Sequence, residues 1–410
     1  MKWLKKQGWT LKRFPDKMAG YQMPLEGKGG TFPGAESHEV VLHWADVIFS
    51  NFRRSYTDMT RMCAQSFYKP LIVDIDDDVD SLDRSNVSWK DWQGDPNGDM
   101  VCEIPAGTSE DEIDVRRKEG WVVFEKEGRQ FMTMPTGMSG AEIVHEQLRA
   151  AAMVTVSTPY LQKLYTKYNK NVVTVPNAID FEVWHKVEPV DDGLVRIGLF
   201  GSNSHYKDWR EAIDAVKRIL TEYPNTRFYF NGWLVMEEAK EGGAIYEMKR
   251  HFKFPDYFEK MGLLDHPQSE IFEPTEIQDY PKWLMDKRID IGLAPLLDTK
   301  FNESKSNLKY IEFGAMGVPG VYADLEPYAD VEHGKTGLKA SKPIDYYTQL
   351  KKLVESKELR KQIGDAAHED VKARYDASKV AEKLGKEIER AVADYQANKL
   401  KIRSERLAAL

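Results

Sequence analysis

Short apolar, β-branched runs recur between longer amphipathic stretches, and this alternation constrains the chain more than any other feature. It is the pattern of parallel strands joined by helices. Strands are predicted at 47–49, 71–75, 154–156 and 172–175 in the first half, and at 195–200, 227–230, 289–294 and 318–322 in the second. The two sets predict an α/β protein of two doubly wound units. Length agrees, because 410 residues exceed one ordinary core and suit two. A polar segment at 186–193, with Pro189, Asp191, Asp192 and Gly193, has neither helical nor strand period and reads as the linker. The expected units are therefore 1–187 and 194–375. The stretch 81–138, rich in Asp, Gly, Pro and Trp, reads as an insertion in the first unit. In 376–410, Val380, Leu384, Ile388, Val392 and Tyr395 recur at helical spacing, an apolar stripe that packs on the nearest unit or crosses back to the first.

Composition narrows the function classes. The chain is 41% apolar and 30% charged, without an apolar run of the roughly 20 residues that a spanning helix needs. No apolar signal core follows Met1 to Lys6, so a cytoplasmic location is expected. Two cysteines, Cys63 and Cys102, are too few for a disulfide framework or a Cys-rich zinc site. A net charge of −8 gives no general attraction to nucleic acid, although basic residues gather at both ends.

The most informative stretch runs from Ile289 to Pro319: an apolar strand, a polar loop, then a helix predicted to begin near Ser304. Ligands of open α/β sheets bind beyond the carboxyl ends of strands, where helix N-termini present free N–H groups. On that predicted helix Lys305, Lys309 and Glu312 share a face, beside an apolar face of Leu308, Ile311 and Ala315. Two ammonium groups could neutralise a pyrophosphate, and a carboxylate two turns in could accept from the vicinal hydroxyls of a ribose. The bland alternative is an exposed, salt-bridged helix face, the commoner meaning of such spacing.

The run from Phe301 to Glu312, containing Lys305-Ser306-Asn307-Leu308-Lys309, is followed by Gly314-Ala315-Met316-Gly317-Val318-Pro319. Together they resemble the donor segment of retaining GT-B glycosyltransferases, in the branch with a lysine-serine-x-leucine-lysine segment ahead of its glutamate. Pro176-Asn177-Ala178-Ile179-Asp180, Ser157-Thr158-Pro159 and the strand ending Phe200-Gly201-Ser202 extend the likeness over most of the chain from Asp46 onward. The resemblance implies two Rossmann-like domains facing across a cleft and a nucleotide-diphosphate sugar as donor. It implies transfer to a hydroxyl acceptor, with retention and without a required metal or other cofactor. The implied catalytic group is Lys207, Lys305 and Glu312; the implied donor-binding group is Gly201, Ser202, His205, Ser306, Asn307 and Lys309. Two departures stand out. Ser304 occupies the slot of the family's first glutamate, and Ser202 replaces a frequent arginine, while Lys207 matches the phosphate-binding lysine.

Other features compete. Gly27, Gly29 and Gly30 resemble the family's first glycine turn, yet a glycine cluster is as often a plain turn. Asp74, Asp76, Asp77 and Asp78 could hold magnesium or manganese, as in the GT-A architecture, or cap a following helix and line an acceptor cleft. His38, His43 and His145 are candidate acceptor-side groups. A saccharide or other small hydroxylated molecule is the first acceptor class. Hydroxymethylated DNA is the second, since Trp89, Trp92 and Trp121 could stack bases while the acidic residues around them repel phosphate. A nucleotide-sugar-binding or lectin-like module without catalysis is the third reading.

Overall fold

The computed structural model describes residues 2–11, 44–53, 56–82, 100–104, 107–118, 121–126, 129–134, 137–201, 205, 207–241, 244–253 and 256–409. The chain forms two compact units, Met1–Val175 with Ala381–Leu410, and Pro176–Val380. The first division falls ahead of the polar segment 186–193, which is docked within the second unit. Asn177 donates to Ser306 Oγ at 2.7 Å, and the Ile179 N–H donates to the Tyr375 carbonyl at 2.7 Å. Lys186 pairs with Asp365, Asp192 with Arg196, and Asp191 with Lys357. Charges that look like solvated linker residues in sequence are thus satisfied by the second unit's own surface.

In the first unit α1 (Lys2–Lys6), β1 (Ile48–Asn51), α2 (Tyr56–Gln65) and β2 (Leu71–Ile75) are followed by an inserted module. That module holds β3 (Met100–Glu103), α3 (Glu110–Lys118), β4 (Val122–Lys126) and β5 (Arg129–Met134), its strands antiparallel in the order β3-β5-β4. Then come α4 (Gly140–Ala150), β6 (Met153–Val156), α5 (Pro159–Tyr165) and β7 (Val172–Thr174). Strands β1-β2-β6-β7 form a four-stranded parallel sheet. Local sequence starts the helices: Ser139 and Glu142 close a capping box on α4, and Thr158 caps α5 with Pro159 in its first turn.

The second unit runs β8 (Val195–Leu199), α6 (Arg210–Glu222), β9 (Thr226–Asn231), β10 (Trp233–Glu241), β11 (Ala244–Lys253), α7 (Asp256–Lys260), β12 (Ser269–Phe272), α8 (Tyr280–Asp286) and β13 (Ile291–Ala294). It continues with α9 (Lys300–Glu303), α10 (Leu308–Ala315), β14 (Gly320–Ala323), β15 (Leu338–Ala340), α11 (Pro343–Glu355) and α12 (Lys357–Arg374). Six parallel strands form a sheet of order β12-β9-β8-β13-β14-β15, and β10 pairs antiparallel with β11 as a separate hairpin. One face buries Ile197, Leu199, Ile213, Ile219, Leu350 and Leu353; the other buries Phe200, Ile311, Phe313, Tyr322 and Val371. Helices therefore cover both faces, which is why these strands are apolar throughout. Gly317, at φ +71°, ends α10 in the left-handed region and lets the chain turn into β14.

The last helix, α13 (Ala377–Ala409), carries its stripe into the first unit. Ile388 and Ala391 pack with Ile72 and Met153, flanked by Leu384 and Val392. Tyr395 is buried and donates to the Ser66 carbonyl at 3.0 Å. Among the described residues no helix is long and apolar enough to cross a membrane.

Candidate functional site

Numbered along the second unit, its sheet has the order 3-2-1-4-5-6, so the winding reverses between β8 and β13. Such a reversal opens a crevice beyond the carboxyl ends of the two strands. The segment after β8 and the segment after β13 are stitched together there by Asp208, only 3% exposed. One of its oxygens accepts from the Leu297 N–H at 3.0 Å and from Asn302 Nδ2 at 2.7 Å, and the other lies 2.9 Å from His205 Nδ1. A carboxylate with several partners sets the loop geometry more firmly than any single bond. Gly201 is held from the other side: its N–H donates to Asn231 Oδ1 at 3.0 Å, and Asn231 Nδ2 returns a bond to its carbonyl at 2.9 Å. A Cβ at Gly201 would lie 3.2 Å from both the His205 ring and the Trp209 ring, so glycine admits the imidazole.

Beyond β13 the chain makes a short helix before the one expected. Thr299 caps α9 by accepting from the Asn302 N–H at 3.1 Å, and the Ser304 hydroxyl then bonds back to the Phe301 carbonyl at 2.7 Å. That closure ends the first helix, and α10 starts only at Leu308. Lys305 consequently lies between the two helices and shares no helical face with Lys309 and Glu312. Its ammonium sits 4.8 Å from the Phe301 ring centre. Leu308, expected on an apolar face with the buried Ile311 and Ala315, is 42% exposed.

The start of α10 is open to an anion. Asn307 stands at the N-cap but makes no side-chain cap, because its amide is drawn to Tyr375 Oη at 2.7 Å, and Tyr375 donates in turn to Asp330. Ser306 Oγ is fixed by Asn177. Among the described residues the N–H groups of Ser306 and Asn307 meet no acceptor, and those of Leu308 and Lys309 belong to the first turn, which has no partner within the helix. Four consecutive donors with the positive end of the helix dipole are suited to phosphate.

One turn in, Lys309 Nζ donates to Glu312 Oε2 at 2.7 Å and to Tyr280 Oη at 2.9 Å, and Tyr280 donates to the same Oε2 at 3.1 Å. The pair is largely enclosed, with side-chain exposures of 19% for Lys309 and 6% for Glu312. Burial alone would depress the lysine; the Glu312 carboxylate and Tyr280 override it and hold the ammonium above its ordinary value. Both contacts fall on Oε2, and Oε1 makes none among the described residues.

The structure thus brings Lys309 together with Glu312, and His205 against Gly201. Lys207 is exposed, Lys305 stands apart from the Lys309–Glu312 pair, and Ser202 lies outside the described residues. Tyr280, Asp208, Asn302, Asn231 and Asn177 escaped the sequence reading. Asn302 and Asn177 lay inside the quoted segments; the others carried no local signal. In the first unit Asp74 accepts from Thr155 Oγ1 at 2.5 Å, with burial and then Asp76 pushing its carboxyl up. Asp78 accepts from the Asp80 N–H at 3.0 Å, closing a turn. Among the described residues no three His, Cys, Asp or Glu side chains gather as metal ligands. His145 lies 3.0 Å from Asp80 and stacks on Tyr168. Trp121 is half-buried. Gly27, Gly29, Gly30, His38, His43, Trp89 and Trp92 lie outside the described residues.

No known protein family and no curated protein matches the chain in sequence. Solved structures do match it. HepE from Anabaena, in complex with UDP and glucose, is 15% identical, with 86% of this chain and 80% of that one covered and a TM-score of 0.54. The sucrose-phosphate synthase of Thermosynechococcus elongatus is 12% identical, with 85% and 74% covered and a TM-score of 0.50. The pneumococcal O-GlcNAc transferase GtfA, in complex with UDP and GlcNAc, is 12% identical, with 86% and 59% covered and a TM-score of 0.51. At these identities the likeness establishes the fold: an α/β chain of GT-B type with two Rossmann-like domains.

Proposed function

We propose that a chain with this fold and this site is a glycosyltransferase that moves a sugar from a nucleotide-diphosphate sugar to a hydroxyl acceptor. The observation that carries the reading is the open start of α10 beside the Lys309–Glu312 pair, at the point where the sheet reverses. Diphosphate oxygens meet the N–H groups of Ser306 to Lys309, and Glu312 Oε1 accepts from the vicinal hydroxyls of the ribose. The bond from the anomeric carbon to phosphate breaks through an oxocarbenium-like state, the acceptor oxygen bonds to that carbon from the face the phosphate leaves, and the acceptor proton passes to the departing phosphate oxygen. The chain's task is to stabilise negative charge growing on the leaving phosphate. Lys207 and Lys305 supply further cations, and His205, oriented by Asp208, supplies a ring N–H or lone pair. The UDP-bound HepE and GtfA support a uridine nucleotide as the first donor to test.

Transfer with retention, a saccharide acceptor and metal independence complete the proposal. Helix N–H groups and lysines take the part that a metal plays elsewhere at a diphosphate. The test is turnover of a UDP-sugar and GDP-sugar panel by metal-stripped protein, with and without EDTA, against oligosaccharides and hydroxymethylated DNA. Products are read by mass spectrometry and anomeric configuration by NMR. Expected are glycosylated saccharides of retained configuration at an unchanged rate in EDTA. Transfer to DNA alone, or loss of activity restored only by manganese, overturns the corresponding part, and donor binding without transfer to any acceptor favours a lectin-like module.

A further inference from the structure

Tyr280 reaches the site from α8, an element that contributes nothing else to it, and it touches both members of the buried pair. Its ring is held face to face with Trp283, centroids 5.9 Å apart, and edge-on to Trp184 at 6.3 Å. The phenol therefore has little rotational choice, and its oxygen closes a ring of three hydrogen bonds with Lys309 Nζ and Glu312 Oε2. Burial, reinforced by the neighbouring Glu312 charge, raises the phenol above its usual value, so it remains a donor at working pH. A lysine ammonium alone is a flexible point charge that could bridge either carboxylate oxygen. A phenol on a separate helix, packed against the two indoles, can serve only one.

We infer that Tyr280 is a positioning residue. By occupying Oε2 it presents Oε1 of Glu312 to the ribose, and it thereby sets the preference for ribo- over deoxyribonucleotides. The inference rests on the nucleotide reading of this site. It differs from a packing role in what it moves: loss of packing weakens every nucleotide alike, whereas loss of orientation weakens only those with the hydroxyl that Glu312 reads. Sites built to bond a hydroxyl reject analogues lacking it, because the buried polar group is then left unpaired.

The experiment is titration calorimetry of UDP, GDP and ADP, each against its 2′-deoxy counterpart, on the wild-type protein and on Tyr280→Phe, which keeps the ring and removes the hydroxyl. Wild type is expected to prefer the ribonucleotide by about tenfold or more, as befits a charge-assisted hydrogen bond. In Tyr280→Phe that ratio should fall to within about threefold, through weaker ribonucleotide binding with deoxynucleotide affinity unchanged. A second arm covers a folding defect. If Tyr280 acts through Glu312, adding Tyr280→Phe to Glu312→Gln leaves the ratio of Glu312→Gln unaltered, whatever the stability of the double variant. A full ribo-to-deoxyribo ratio in Tyr280→Phe, or a further change of ratio in the double variant, overturns the positioning role while leaving the nucleotide site intact. Failure of wild type to bind any of the six nucleotides overturns the underlying reading itself.

Discussion

At the residue scale, the buried charges pair in ways that make them structural as well as chemical. Glu312 is not an exposed carboxylate waiting for ligand; it offsets the charge of Lys309, and removing either partner would leave the other enclosed and uncompensated. The same logic governs Asp80 in the first unit, which lies 3.0 Å from His145 and 3.2 Å from Lys167. Burial alone would raise the Asp80 carboxyl, but the neighbouring His145 and Lys167 hold it below the ordinary value of 3.8. A lowered carboxylate contributes stability above its unfolded value and loses it as pH falls through the folded one. Asp80→Asn is therefore expected to be less stable than wild type at pH 7, by about 1 kcal/mol for a partly exposed pair. The gap should close on acidification below 3.8, as urea denaturation across pH would show.

At the scale of elements, the site depends on two loops leaving β8 and β13 in register with each other, and Asp208 is their common fastener. Asp208→Ala would leave the Leu297 N–H without its acceptor and the Asn302 amide with only its bond to the Leu297 carbonyl at 3.0 Å, and a polar group so orphaned costs about 1–3 kcal/mol. The strands themselves keep their ladders, because both bonds lie beyond the strand ends. The expected result is faster hydrogen exchange confined to the Leu297 to Asn302 segment and weaker nucleotide binding, with exchange in β8 and β13 unchanged. Two other features were harder to foresee. The strands of the inserted module are four to six residues long and antiparallel, so they lack the strand-helix rhythm that betrays the parallel sheets. The break between α9 and α10 escaped because Lys305, Lys309 and Glu312 keep helical spacing across it, and only the Ser304 back-bond shows that the spacing is coincidental.

At the scale of the whole molecule, the first unit is completed by a segment distant from it in sequence, Ala381–Leu410. Ile388 and Ala391 complete a core with Ile72 and Met153, although more than three hundred positions separate α13 from β2. Ile388→Ala should cost about 2–5 kcal/mol, charged to the first unit alone. Calorimetry would show the first unit's transition lowered and the second unit's unmoved; an equal shift in both would contradict the division. The sequence by itself determined the α/β alternation, the positions of eight parallel strands though not of β12 and β15, the apolar stripe of α13 and the stretch in which the candidate site lies. Those follow from short apolar runs and from a period of three to four residues, which any chain displays locally. Only the tertiary structure decided that Tyr280 grips Glu312 from 32 positions away, that Asp208 binds Asn302 across 94, and that the polar segment 186–193 is docked rather than free. Side-chain hydrogen bonds have no period in sequence. They exist because the winding of the sheet brings distant loops to one edge and because burial then makes an unpaired polar group too costly to leave.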